Sequence, residues 1–238
     1  VEEWNKEEVS RLFKELNFKR FIDRFGLDNE SQSNDINLDD VVKYKNISLN
    51  EICEKAAKNQ KLVYYFEKEN TTNSKEEKII INKEIKKIYT YIDDTVYYSN
   101  IDDIKDLKNI FENEEIKKYG YKMSEDYIVL KQQGIDMKGI EFDIEVAQYD
   151  VDPTNSKYLL EDIASQYLDI DIIQYMKDKG VDESNQKQIT LFENEQNNDN
   201  DIYKGIIYIY TIGNVIKPIY EELKNKNELE LFNNIEMP

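Results

Sequence analysis

Histidine is missing from this 238-residue chain. Its absence excludes Ser-His and Cys-His catalysis and histidine-ligated zinc. Cysteine occurs once, at Cys53, so no internal disulfide can form, which fits a reducing compartment. Cys53 reads as a small buried hydrophobe rather than a nucleophile. Arginine is confined to Arg11, Arg20 and Arg24, leaving residues 25–238 without a guanidinium group. No apolar run approaches the ~20 residues of a membrane span, and the N-terminus lacks the basic and apolar regions of a signal peptide. The expectation is a soluble, cytoplasmic chain with no membrane partner.

Acid is what the chain has in excess. Fifty Asp and Glu stand against 32 Lys and Arg, for a net charge of −18. Nucleic-acid binders neutralise phosphates with Lys and Arg, so a body this acidic should repel DNA on its own. Acidic interaction modules and DNA mimics share that property, and charge alone does not separate the readings.

The chain is long enough for one substantial domain plus an appendage. Residues 4–22 place Val9, Leu12, Phe13 and Leu16 at helical spacing, with Asn5 as cap and Glu8 reaching back. Residues 25–47 are polar and aperiodic and read as a linker. Ser48 and Glu51 form a second capping box, opening a helix to about Lys58. Leu62–Phe66 (LVYYF) suits a buried central strand. Residues 77–100 read as a β-meander turning at Asp93-Asp94. A helix over 104–111 and a strand near 116–119 follow. Ser124 should cap a helix that Gly134 ends. Helices are expected over 142–149, 158–168, 172–179, 201–224 and 228–232, with a polar, acidic loop from 181 to 200. Strands first, then helices around one more strand, imply an α/β sandwich with a mixed sheet flanked by helices.

Two long segments carry a resemblance. GIDMKGIEFDIEVAQYDVDPTNSKYLLEDIASQYL at 134–168 and KPIYEELKNKNELELFNNIEMP at 217–238 resemble, in order, the bacterial DNA polymerase I family. The first is similar to the stretch after that family's second exonuclease motif, and the second to its junction before the polymerase palm. Residues 4–22 resemble the end of its 5′-nuclease domain. The resemblance implies a 5′-nuclease tail at 1–24, a linker at 25–47 and a 3′–5′ exonuclease-like domain of ribonuclease H-like fold at 48–238.

It also implies a site. The family's Asp-x-Glu strand motif corresponds to Glu67-Lys68-Glu69, which keeps two carboxylates but lengthens the first. Its Asn-x-x-x-Asp motif corresponds to Lys122 through Asp126, keeping only the aspartate. Its Tyr-x-x-x-Asp motif on the closing helix falls at Tyr203 and Ile207. Tyr-x-x-x-Asp also occurs at Tyr89–Asp93, Tyr98–Asp102, Tyr158–Asp162 and Tyr167–Asp171, none of them on that helix.

Two divalent cations about 3.5–4 Å apart need a cage of carboxylate oxygens, and a misplacement of about 1 Å can cost 10²-fold. Isoleucine at 207 removes a ligand, and an ammonium at Lys68 or Lys122 can take a cation's space. The expectation is therefore a catalytically degenerate exonuclease domain with vestigial positions Glu67, Glu69, Asp126, Tyr203 and Ile207 and no cofactor of its own. It would space the 5′-nuclease and polymerase domains of one parent chain, meeting DNA only through that Mg²⁺-dependent parent. A residual exonuclease holding a metal through Glu67, Glu69 and Asp126 is the alternative. Taken alone, these residues also read plainly: Glu67 and Glu69 as a solvated strand end, Asp126 as a first-turn helix residue, and Tyr203, Tyr208 and Tyr210 as packing.

Overall fold

A computed structural model describes residues 5–15, 38–70, 83–181 and 198–237. The chain divides into two units, Val1–Val41 and Val42–Pro238. In the first, helix α1 (Lys6–Glu15) opens where Asn5 Oδ1 accepts from the Glu8 amide at 3.3 Å. Val9 and Phe13 are half-buried and Leu12 is exposed. A short helix, α2, covers Leu38–Val41. The expected continuation of α1 over 16–22 and most of the expected linker lie outside the described residues.

The second unit is built on a six-stranded mixed sheet: β1 (Lys43–Asn46), β2 (Lys61–Asn70), β3 (Lys83–Ile92), β4 (Thr95–Asn100), β5 (Lys117–Gly120) and β6 (Ile140–Asp143). Their spatial order is β1-β4-β3-β2-β5-β6. β2, β3 and β4 are antiparallel, whereas β1 joins β4, β5 joins β2 and β6 joins β5 in parallel. LVYYF forms the central strand β2 because Leu62, Val63, Tyr64 and Phe66 are all buried, as a strand covered on both faces requires. The β3–β4 hairpin turns on Asp93 and Asp94, both at positive φ, the conformation a two-residue hairpin loop demands. The expected meander residues before Lys83 fall outside the described residues.

Alternation along β2 sets the two layers. Leu62, Tyr64 and Phe66 enter a core with Ile52 and Ala56 of α3 (Leu49–Asn59) and Leu107, Ile110 and Phe111 of a 3₁₀ turn and α4 (Lys108–Phe111). Val129 and Leu130 of α5 (Met123–Gln132) close it. α3 starts at the anticipated Ser48–Glu51 capping box, and α5 is followed by Gly134 at φ +77°. The other face of β2 and β3 lies under the long helix α9 (Asn198–Lys226), which also packs on α6 (Ile144–Val151) and α7 (Leu160–Leu168). α8 (Ile172–Asp178) precedes α9; α10 (Leu229–Leu231) and a π turn at Phe232–Glu236 follow it.

Three local expectations are corrected. Residues 43–46 are not linker but edge strand β1; every residue of KYKN is exposed, so no apolar alternation announces it. Phe142 lies in strand β6, not at a helix start, because Asp143 caps α6 and halts the strand. The cap of α5 is Lys122, at φ 57°, rather than Ser124. The expected 181–200 loop is described only at its ends.

α9 meets β3 through a seam of glycine on tyrosine. A Cβ on Gly205 would stand 2.1 Å from Tyr89 Cζ, and one on Gly213 2.1 Å from Tyr91 Cδ1. Both positions therefore need glycine despite its low helix propensity. Gly205→Ala is expected to destabilise the fold by about 1–3 kcal/mol through overpacking, read as a lowered urea midpoint at unchanged slope. An unchanged midpoint would show that the seam has room to yield.

Candidate functional site

As β2 leaves the core, a register shift between Glu67 and Lys68 re-aims its last residues. Glu67 points to the α9 face, where Lys87 Nζ and the Tyr89 hydroxyl each donate to its carboxylate at 2.7 Å. Lys68 turns toward α5. Its Nζ donates to Asp126 Oδ1 at 2.6 Å and lies 3.3 Å from Glu125 Oε1, which also takes Lys83 Nζ at 2.5 Å. Three carboxylates thus face three ammonium groups.

Electrostatics rank these contacts. Asp126 is buried, with 4% of its side chain exposed. Burial pushes its carboxyl up to about 6, and the Lys68 charge and hydrogen bond only partly oppose that. Burial would also raise Glu125, but Lys83 and Lys68 outweigh it and hold its carboxyl below the usual value. The Tyr65 phenol is raised by burial, then by the charges of Asp126, Glu67, Glu161 and Glu125. Charge from both sides of β2 thus bears on the Tyr65 phenol.

Asp126 is held there by a residue that sequence reasoning missed. Asp143 accepts from the Met123 amide at 2.8 Å, the Lys122 amide at 3.2 Å and the Glu145 amide at 2.9 Å. One buried carboxylate thus pins the starts of both α5 and α6, where helix dipoles favour negative charge. Its signal in the sequence was an aspartate two residues before Glu145, a helix-cap pattern. The tyrosine and lysine partners of Glu67 carried no comparable signal.

The remaining predicted positions do not join this cluster. Glu69 is exposed at the strand end, in register with Glu84. Lys122 Nζ lies 3.8 Å from Glu145 and over the Tyr121 ring, so Lys68 is the lysine that sits on Asp126. The Tyr203 ring meets Tyr44 edge-on at 6.4 Å, with Lys179 Nζ 5.1 Å from its centroid. Ile207 is fully buried. Beside it, Tyr208 covers Tyr65 at 5.3 Å and donates to Glu161 of α7. Cys53 is half-buried, and burial followed by the Asp106 charge raises its thiol, the opposite of nucleophile activation.

This donor set does not fit a pair of divalent cations. Such a pair needs converging oxygens with free lone pairs. Among the described residues no three acidic or thiol side chains converge in that way. Glu67 and Asp126 already accept from lysines, and position 207 offers only methyl groups.

The Lys68–Asp126 pair makes a pH-dependent prediction. Asp126 titrates near 6 when folded against 3.8 ordinarily, so the folded state holds its proton more tightly and stability falls as pH rises from about 4 to about 6. Lys68→Met removes the opposing charge and moves the upper edge of that window upward. The variant should therefore lose more stability at pH 8, about 2 kcal/mol, than at pH 5. Urea unfolding at both pH values checks this; equal losses would refute it.

Comparison with known proteins agrees with the fold. Residues 90–181 match the family model for the DNA polymerase I, ribonuclease H-like domain. The chain is 26% identical over 240 residues to DNA polymerase I of Bacillus subtilis (strain 168), covering 99% of this chain and 25% of that one. It thus spans a quarter of the relative's length. Among solved structures, the POL domain of Pol1 from M. smegmatis, complexed with DNA primer-template and dNTP, superposes with a TM-score of 0.59 at 13% identity, over 82% of this chain and 30% of that one. Escherichia coli RNase D, an exoribonuclease involved in structured RNA processing, gives 0.57 at 12% identity, over 80% and 48%. Brucella melitensis NrnC also gives 0.57 at 12%, over 80% and 85%. The mixed sheet, the helices on its two faces and these superpositions give the chain a ribonuclease H-like fold, and residues 90–181 are similar to the DNA polymerase I, ribonuclease H-like domain.

Proposed function

We propose that this domain has given up metal-dependent 3′–5′ phosphoryl chemistry and serves as an architectural spacer in a DNA polymerase I-type protein. The observation that carries the reading is the Lys68 ammonium seated on Asp126 at 2.6 Å. In a two-metal exonuclease, cations must stabilise the attacking and leaving oxygens together. An ammonium neutralises one carboxylate but offers no open coordination position and activates no water. Ile207 and the Lys87-bound Glu67 weaken the cage further, and Tyr203 is engaged with Tyr44 rather than with the cluster.

The scaffold outlasts the chemistry because packing and catalysis draw on different residues. Under this reading the domain sits between a 5′-nuclease and a polymerase domain of one cytoplasmic parent. That parent would handle DNA in replication and repair, with Mg²⁺ in its polymerase site. Among the described residues no helix is long and apolar enough to cross a membrane. The acidic-module alternative required a different topology and loses its support to the mixed six-stranded sheet. The residual-exonuclease alternative keeps one argument: the charges of Asp126 and Glu67 both act on Tyr65.

End-labelled single-stranded DNA incubated with the chain and Mn²⁺ separates the two. The expected result is no 3′ trimming above that of a Glu67→Gln, Asp126→Asn double variant. Trimming that disappears in either Glu67→Gln or Glu69→Gln would overturn the architectural reading.

A further inference from the structure

Lysine is almost never fully buried unless it is paired, yet Lys118 in β5 has no exposed surface. Leu62 of β2 and Ile140 of β6 lie in register with it on either side. Among the described residues its Nζ has one hydrogen-bond partner, the Asn113 carbonyl, at 2.5 Å. That carbonyl also accepts from the Ile116 amide at 3.3 Å, so the ammonium closes the turn between α4 and β5. The turn has little slack. A Cβ on Gly139 would stand 2.7 Å from the Glu114 carbonyl oxygen and 2.8 Å from that of Ile116.

What this ammonium lacks is a carboxylate. Lys61 of β2 lies over the Tyr119 ring, and Glu141 of β6 pairs with Lys117. Glu112 holds Lys108 and the Asp136 amide, while Glu114, Glu115 and Lys138 are exposed. On α3, Glu51 belongs to the capping box and Lys55 lies over Tyr97, with Glu54 and Lys58 exposed. Of all these charges Lys117 alone bears on Lys118, and it repels. A buried cation without a counter-charge favours its neutral form. Burial, then Lys117, brings the Lys118 amine down to about 8 from an ordinary 10.5. A charged Lys118 regains water only if the turn gives way and the long stem carries its head outward.

We infer that Lys118 and the Asn113 carbonyl form a proton-operated latch on the turn that feeds β5, closed when the amine is neutral and loosened when it is charged. Its position gives it reach, because β5 ends at Gly120 and Lys122 opens α5, the helix that carries Asp126. The closed turn binds the lysine proton less tightly than the open one. Closure is therefore strengthened as pH rises from about 8 towards 10.5 and weakened as pH falls back through about 8. The latch does not depend on the spacer reading, since none of its residues belongs to the Lys68–Asp126 cluster.

NMR on the chain labelled at its lysine Cε carbons tests this directly. One lysine signal should titrate near pH 8 and be missing from Lys118→Met. Exchange of the Ile116 and Lys138 amides, corrected for the intrinsic rate, should slow about tenfold between about pH 7 and about pH 9 in the wild type and not in the variant. Lysine signals that all titrate near 10.5 would overturn the proposal, as would exchange with the same pH dependence in both chains. If Lys118→Met does not fold, the wild-type chain decides alone: a lysine titrating near 8 together with slowed Ile116 exchange supports the latch, and the lack of either refutes it.

Discussion

A carboxylate closed off from water must protonate, coordinate a cation or find an ammonium. Asp126 is in that position, and Lys68 answers it from the neighbouring strand at 2.6 Å. Much of the second unit depends on this pair. It ties α5 to the central strand, and it fixes where Glu125 and Lys83 can go. Together with the Lys87–Glu67 contact it turns a cluster of acids into an electrically balanced patch. The balance is incomplete, because burial still holds the Asp126 carboxyl near 6.

Under the proposed reading, the same residues let the fold stand without the chemistry. Asp143 keeps α5 in place through backbone amides of its first turn, so the helix does not need a metal to anchor it. α9 is held by tyrosine rings against glycine and by the Tyr208–Glu161 bond to α7. At Ile207 a fully buried aliphatic side chain extends that packing. An aspartate there would bury a further carboxylate, a cost that only a partner cation would offset.

Much of this was legible in the sequence because it is local. The Ser48–Glu51 capping box, the LVYYF strand, the Asp93-Asp94 turn and the stop at Gly134 all follow from residues within a few positions of each other. Strand β1 was not legible, since an edge strand of exposed residues has no apolar alternation. Phe142 misled because a four-residue strand runs directly into a helix with no intervening break. The cap of α5 misled for another reason: its amides are satisfied by Asp143, some twenty residues onward. At the site, Lys68 and Lys122 were both candidates for a cation's place, and only the strand register chose Lys68. The Tyr44 contact of Tyr203 depends on β1 and so was out of reach.

Under the proposed reading, the Lys68 and Lys87 ammonium groups occupy carboxylate oxygens that a cation cage would need free. Calorimetric titration of the chain with Mn²⁺, followed in parallel by paramagnetic broadening of amide signals, tests it most directly. No saturable site tighter than about 1 mM, or about −4 kcal/mol of binding, is expected, and no selective broadening around Glu67 and Asp126. Two ions bound at micromolar concentration, with broadening centred on those residues, would contradict it.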